Sequence, residues 1–137
     1  MDADELDRFI KQHFPEARMN WEITRVAEGE LDVRLPFRDD YLRPGGTIAG
    51  PVLMALADTV AYLVILATIG PVALAVTTSL NINFMRRPSP EALSARARIL
   101  KLGRQLAVVE VYIALAATDT LVAQATVTYS IPPGSQG

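Results

Sequence analysis

Residues 51–69 form an apolar run that starts at Gly50-Pro51 and stops at Gly70-Pro71, and no other stretch constrains the fold so tightly. Pro51 suits the first position of a helix, where its missing N–H would have no partner anyway. A helix that is apolar nearly all round is normally enclosed by other structure. One acid, Asp58, stands in the middle of the run, and the run contains no cation. Desolvating a carboxylate is costly unless something pairs with it, so Asp58 must have a structural partner or a chemical task. At about 18 residues the run reaches the lower limit for a membrane span. Inserting its central acid would cost about 2.5–3.5 kcal/mol, and the neighbouring segments are strand-like. The expectation is a core helix of a globular domain, with no membrane partner.

The remaining chain supplies short elements to surround that helix. Leu6, Phe9, Ile10 and Phe14 recur at helical spacing over 3–14, with acids early and Lys11 late, and Pro15 ends the segment. Two strands follow at 19–27 and 30–37, joined through Glu28-Gly29. Residues 38–50, rich in Asp, Pro and Gly, read as a loop. After the apolar run come strands at 72–86, 92–102, 105–117 and 120–131. In the first of these Val76, Leu80, Ile82 and Phe84 fall on one face and Thr77, Ser79, Asn81 and Asn83 on the other, with Thr78 out of phase. Residues 132–137 read as a disordered tail. The whole, 1–137, reads as one α+β domain with a long helix wrapped by a curved, mostly antiparallel sheet of five or six strands. Sheet edges need covering or pairing, so a homodimer at least is expected.

Composition removes several functions. The chain has 137 residues, a net charge of −2 and scattered basic residues, which does not suit nucleic-acid binding. It has no cysteine and one histidine, His13, so thiolate chemistry and a two-histidine metal site within one chain are excluded. No metal or cofactor is expected, and His13 is expected to be exposed and without a role. Met1-Asp2-Ala3-Asp4-Glu5 has no apolar core of the signal-peptide kind, so a cytoplasmic location is expected.

The segment Gly46-Thr47-Ile48-Ala49-Gly50-Pro51-Val52-Leu53-Met54-Ala55-Leu56-Ala57-Asp58-Thr59 resembles the acyl-CoA thioesterases of the phenylacetate-degradation (PaaI-like) type. Those proteins carry His-Gly-Gly at the helix start and Leu-Ala-Asp nine residues on. Thr77-Thr78-Ser79-Leu80-Asn81-Ile82-Asn83-Phe84-Met85-Arg86-Arg87-Pro88 is similar to the strand that follows their helix. The resemblance implies a hotdog fold and hydrolysis of an acyl- or aryl-CoA thioester. It implies Asp58 as general base or nucleophile, Gly50 as the amide donor that polarises the carbonyl, and Thr77 as a hydroxyl that helps hold the water. Three positions depart from the pattern: Ala49 replaces the histidine, Pro51 the second glycine, and Arg43 an Asn or Gln. Arg43 could stabilise a developing oxyanion, hold an anionic group of the substrate, or pair with Asp58. Arg86, Arg87 and Arg104 could meet the phosphates of CoA. A catalytically weak acyl-CoA or aryl-ligand binding protein is the alternative.

Geometry limits how such a site is assembled. Gly50 and Asp58 are about 12 Å apart along one helix axis, yet both must reach one thioester carbonyl. Two antiparallel helices related by a twofold axis can do this, so the expected site is shared between subunits of a dimer or a dimer of dimers. Leu56, Val60, Tyr62 and Leu63 are expected to wall it. Against this stands a purely structural Asp58, bonded to Thr59, Tyr62 or a backbone amide, or paired with Arg43.

Overall fold

A computed structural model describes residues 1–14, 19–72 and 74–133. Helix α1 spans Ala3–His13, strands β1 and β2 span Glu22–Ala27 and Glu30–Leu35, and short strands β3 and β4 cover Leu42–Arg43 and Thr47–Ile48. Helix α2 spans Gly50–Ile69, followed by β5 (Val76–Phe84), β6 (Leu93–Leu102), β7 (Leu106–Leu115) and β8 (Leu121–Ser130). The large sheet has the order β1-β2-β6-β7-β8-β5, with every neighbouring pair antiparallel. Helix α2 lies across its concave face, which is the hotdog arrangement.

The inner face of the sheet shows why the helix can lie so close. Ala95 and Ala97 of β6, Ala107 of β7, and Ala123 and Ala125 of β8 are all buried there. Small residues at the centre leave room for the helix, while Leu93, Val109, Val111, Ile113 and Val127 fill the space around it. Residues 60–66 of α2 are all buried, more than one helical face, because α1 covers the side turned away from the sheet. Leu6, Phe9 and Ile10 of α1 are buried, and the Met1 ammonium donates to the Ala67 carbonyl at 2.9 Å. At the C-terminus of α2, Gly70 has φ 92° and its N–H bonds to the Leu66 carbonyl at 2.9 Å. Glycine suits this left-handed stop because it carries no Cβ.

Enclosure ends in the N-terminal half of α2. Pro51, Met54 and Ala55 are exposed and Asp58 and Thr59 are half-buried, so within one subunit this end of the helix is covered on its sheet side only. This open flank lies beside β5, an edge strand whose side chains are mostly exposed. The expected loop at 38–50 also holds structure: a 3-10 turn at Asp39–Tyr41 and the β3–β4 hairpin. β5 starts at Val76 rather than 72. The expected ends at Pro15 and 134–137 lie outside the described residues; Pro132 and Pro133 lie beyond β8.

The phase of β5 differs from the alternation expected. A bulge between Thr77 and Ser79 absorbs Thr78, so Val76 pairs with Ser130 and Thr77 with Tyr129, while Ser79 pairs with Thr128 and Leu80 with Val127. Tyr129 and Val127 face the helix, so Thr77 shares the inner face with Leu80, Ile82 and Phe84, and Val76 turns outward. A simple period of two misassigns both residues.

The close approach of helix and sheet is testable by overpacking. Ala97→Leu should lower unfolding stability by about 1–3 kcal/mol, read as a drop in the denaturant midpoint. An unchanged midpoint would mean that space remains between α2 and β6.

Candidate active site

Two hydroxyls meet one oxygen of Asp58. Thr77 Oγ1 donates to Asp58 Oδ1 at 2.6 Å, and the Tyr129 hydroxyl lies 2.8 Å from the same oxygen. The Asp58 carbonyl, 3.1 Å from that hydroxyl, is its second acceptor. Among the described residues Oδ2 takes no hydrogen bond and no ion pair reaches the carboxylate. The structural alternatives for Asp58, bonding to Thr59 or Tyr62 or pairing with Arg43, are therefore corrected: its partners are Thr77 and Tyr129. The pairing of Thr77 with Tyr129 across β5 and β8 sets both hydroxyls beneath the third turn of α2.

Tyr129 is only 4% exposed. Its ring stacks on Tyr62 at 5.7 Å between centroids, and Phe14 meets Tyr62 edge-on at 5.6 Å. Burial pushes the Tyr129 hydroxyl well above the usual phenol range, and the Asp58 charge adds to the rise. It therefore stays a protonated donor. Tyr62 is also raised by burial, and its hydroxyl points to the Val72 carbonyl at a long 3.5 Å. Tyr62 is thus packing behind Tyr129, and among the other expected wall residues Leu56, Val60 and Leu63 are fully buried core. The exposed apolar surface on the same helical flank as Asp58 comes instead from Met54 and Ala55.

The start of α2 carries the donors. Ala49 is the N-cap without a side-chain cap, and its carbonyl accepts from Val52 at 3.0 Å. Pro51 has no N–H, and the Gly50 amide has no acceptor among the described residues. This turn is braced by Ala49 N–H to the Tyr41 carbonyl at 2.8 Å and Ile48 N–H to the Pro88 carbonyl at 3.1 Å. A Cβ at Gly50 would lie 3.6 Å from the Phe84 ring, so the helix starts beside one end of β5. Asp58 meets Thr77 near the other end. Within one subunit the two groups are held apart.

The arginines are spread out. Arg43 is exposed in the β3–β4 hairpin that leads into the start of α2. Arg86 and Arg87 are exposed just past β5, where the Met85 and Arg86 amides bond to the Val122 carbonyl at 2.8 and 3.1 Å. Arg104 is exposed in the β6–β7 turn, at the Val76 end of the sheet, because Leu106 and Val76 both pair with Ser130. His13 is exposed, with its ring stacked on Phe9 at 4.2 Å. Among the described residues no three His, Asp or Glu side chains gather as a metal site.

Tyr129 is the residue that sequence reasoning missed. The signal was present: a tyrosine on the inner face of β8, in phase with Ala123, Ala125 and Val127, needs a partner for its hydroxyl.

Comparison with known proteins agrees with the fold. Residues 45–122 match the thioesterase superfamily, a span running from before α2 into β8. A candidate thioesterase from Silicibacter sp. TM1040 is 42% identical and superposes with a TM-score of 0.88, covering 97% of this chain and 93% of its own. A candidate thioesterase of Ralstonia eutropha JMP134, described as phenylacetic acid degradation-related, is 28% identical with a TM-score of 0.77, over 90% and 98% of the two chains. A hypothetical thioesterase from Streptococcus pneumoniae TIGR4, in a structure with coenzyme A, shares the fold at 21% identity and a TM-score of 0.78, over 96% and 98%. The chain belongs to the thioesterase superfamily. Its family and fold point to a hydrolase acting on thioesters.

The buried phenol makes an alkaline prediction. With the folded value raised above the unfolded 10.0, the native state keeps a proton that the unfolded chain gives up. The Tyr129 contribution is therefore whole below about pH 10 and falls as pH rises beyond it. Between pH 9 and 11 the denaturant midpoint of the wild type should fall further than that of Tyr129→Phe. Equal falls would show that this hydroxyl ionises freely in the fold.

Proposed function

We propose that this protein is a homodimeric acyl-CoA or aryl-CoA thioesterase of the PaaI-like type, with Asp58 as the base or nucleophile. The observation that carries the reading is Asp58 itself, anchored through one oxygen, open at the other, and set on the unenclosed flank of α2. A carboxylate with one free oxygen can draw a proton from water as the water oxygen adds to the thioester carbon. The C–S bond then breaks, the acid is released, and the proton passes to the sulfur of CoA. As a nucleophile, Oδ2 would add to the carbon itself and expel CoA as its thiolate, leaving an acyl-aspartyl anhydride that water cleaves, one proton of that water passing to the thiolate and the other to the released acid. The developing oxyanion needs a donor, and the Gly50 amide at a helix N-terminus is suited to it.

The topology favours a twofold axis at β5. This edge strand is exposed and carries Val76, Phe84 and the adjoining Met85 in the open. Pairing two copies of β5 antiparallel would bring the Phe84 end of one against the Thr77 end of the other. Gly50, beside Phe84, would then face the partner's Asp58. Ala49 and Pro51 would travel with it, and Arg43 would approach from the hairpin, free to hold an oxyanion or an anionic substrate group. The same axis would carry Arg86 and Arg87 toward the end of the sheet where the partner's Arg104 lies. Three cations there suit CoA phosphates, and coenzyme A on the streptococcal neighbour supports that ligand class. A cytoplasmic setting, where acyl-CoA is abundant, belongs to this reading. A dimer of dimers would add no further catalytic part.

Thiol release from short, medium, long and aromatic acyl-CoAs tests the activity. Wild type should turn over at least one class, and Asp58→Asn should keep the fold while kcat falls by about two orders of magnitude or more. Full turnover by Asp58→Asn would remove Asp58 from catalysis. Saturable binding without thiol release by the wild type would favour the ligand-binding alternative, to which Arg43 and Ala49 give some support.

The shared site has its own test. Ala49 has ψ 143°, which a following proline accepts, so Gly50→Pro removes the amide donor at the start of α2. Its kcat should fall about 10²–10³-fold. Mixing it with Asp58→Ala should restore activity, because each heterodimer has one intact site. No recovery in verified heterodimers would contradict a site built from two subunits.

A further inference from the structure

The two donors on Asp58 Oδ1 divide the labour of the carboxylate. We propose that Tyr129 is a positioning residue: its hydroxyl, with Thr77, fixes Oδ1 and the carboxylate orientation so that Oδ2 alone reacts. This rests on the thioesterase reading for its kinetic consequence, though the geometry stands without it.

Three observations converge. Both hydrogen bonds end on the same oxygen, at 2.6 Å from Thr77 and 2.8 Å from Tyr129, and Oδ2 is left without a bond among the described residues. The Tyr129 hydroxyl also lies 3.1 Å from the Asp58 carbonyl, so it ties the side chain to its own backbone and resists rotation about both side-chain bonds. The donor is itself rigid. Its ring is buried, stacked on Tyr62 at 5.7 Å, and Tyr62 is held edge-on by Phe14 at the end of α1. A reacting group gains from supports that cannot move, since misplacement by about 1 Å can cost about 100-fold in rate. Thr77, on an exposed edge strand, is a less constrained support than a ring packed in the core. Removing the phenol oxygen should therefore loosen the carboxylate even with Thr77 present.

The test is Tyr129→Phe, which keeps the ring and its packing. Its kcat should fall about 10- to 100-fold while KM stays within about twofold, the pattern of a loss felt only in the transition state. A crystal structure of the variant should show the Asp58 carboxylate rotated or split between orientations. A purely structural tyrosine would lower thermal stability and leave kcat per folded site unchanged. An unchanged kcat, a change in KM alone, or a carboxylate fixed in its wild-type position would each overturn the proposal. If the wild type releases no thiol from any acyl-CoA, the thioesterase reading fails, and the orientation of Asp58 in the variant still decides the positioning role. If Tyr129→Phe does not fold, difluorotyrosine at 129 keeps the packing and strengthens the donor; an unaltered kcat would then overturn it.

Discussion

A carboxylate on a helix that packs against a sheet is stable only if its desolvation is offset locally, and here the offset comes from two hydroxyls rather than from a cation. A guanidinium would have neutralised Asp58 and occupied both oxygens. Thr77 and Tyr129 satisfy one oxygen and leave the second without a hydrogen bond among the described residues. The arrangement depends on the sheet. The pairing of β5 with β8 brings Thr77 level with Tyr129, and the bulge at Thr78 turns Thr77 inward to join it. Without that one extra residue the threonine would face solvent and Asp58 would lose a donor.

The alanines of the inner face contribute to the same end. They let α2 approach the sheet closely enough for side chains as short as Asp and Thr to meet at 2.6 Å. α1 seals the distal half of α2 and, through Phe14 and Tyr62, backs the Tyr129 ring. What stays uncovered is the first half of α2 and the β5 edge, and these flank the carboxylate. Packing and site are therefore one design: the core holds the acid from behind and exposes it on the side where a second subunit would lie.

Much of this was legible in the sequence for identifiable reasons. The apolar run between two Gly-Pro pairs gave α2 to within a residue, and hairpin turns such as Glu28-Gly29 separated the strands. Asp58 stood out because a lone charge in an apolar stretch demands explanation. Thr77 was found only through family resemblance, since its alternation pattern pointed to the wrong face. A bulge leaves little local trace, and here it is defined by pairing with a strand some fifty residues away. Tyr129 was missed for the same cause: its contact with Asp58 spans 71 positions and follows from register rather than motif. The wall residues were misjudged because an all-apolar helix does not reveal which flank is left open. Leu56, Val60 and Leu63 turned to the core, while Met54 and Ala55 took the exposed side.

The central claim is that one free carboxylate oxygen faces a thioester whose carbonyl is held by the neighbouring subunit's helix start. The most direct measurement is a crystal structure with a CoA ketone, in which a methylene replaces the thioester sulfur. The account predicts the ketone oxygen within hydrogen-bonding distance of the Gly50 amide of one subunit. The other subunit's Asp58 Oδ2 should face the carbonyl carbon, with Oδ1 still held by Thr77 and Tyr129. A ketone bound away from Asp58, or approached by Oδ1 with Oδ2 tied elsewhere, would contradict it.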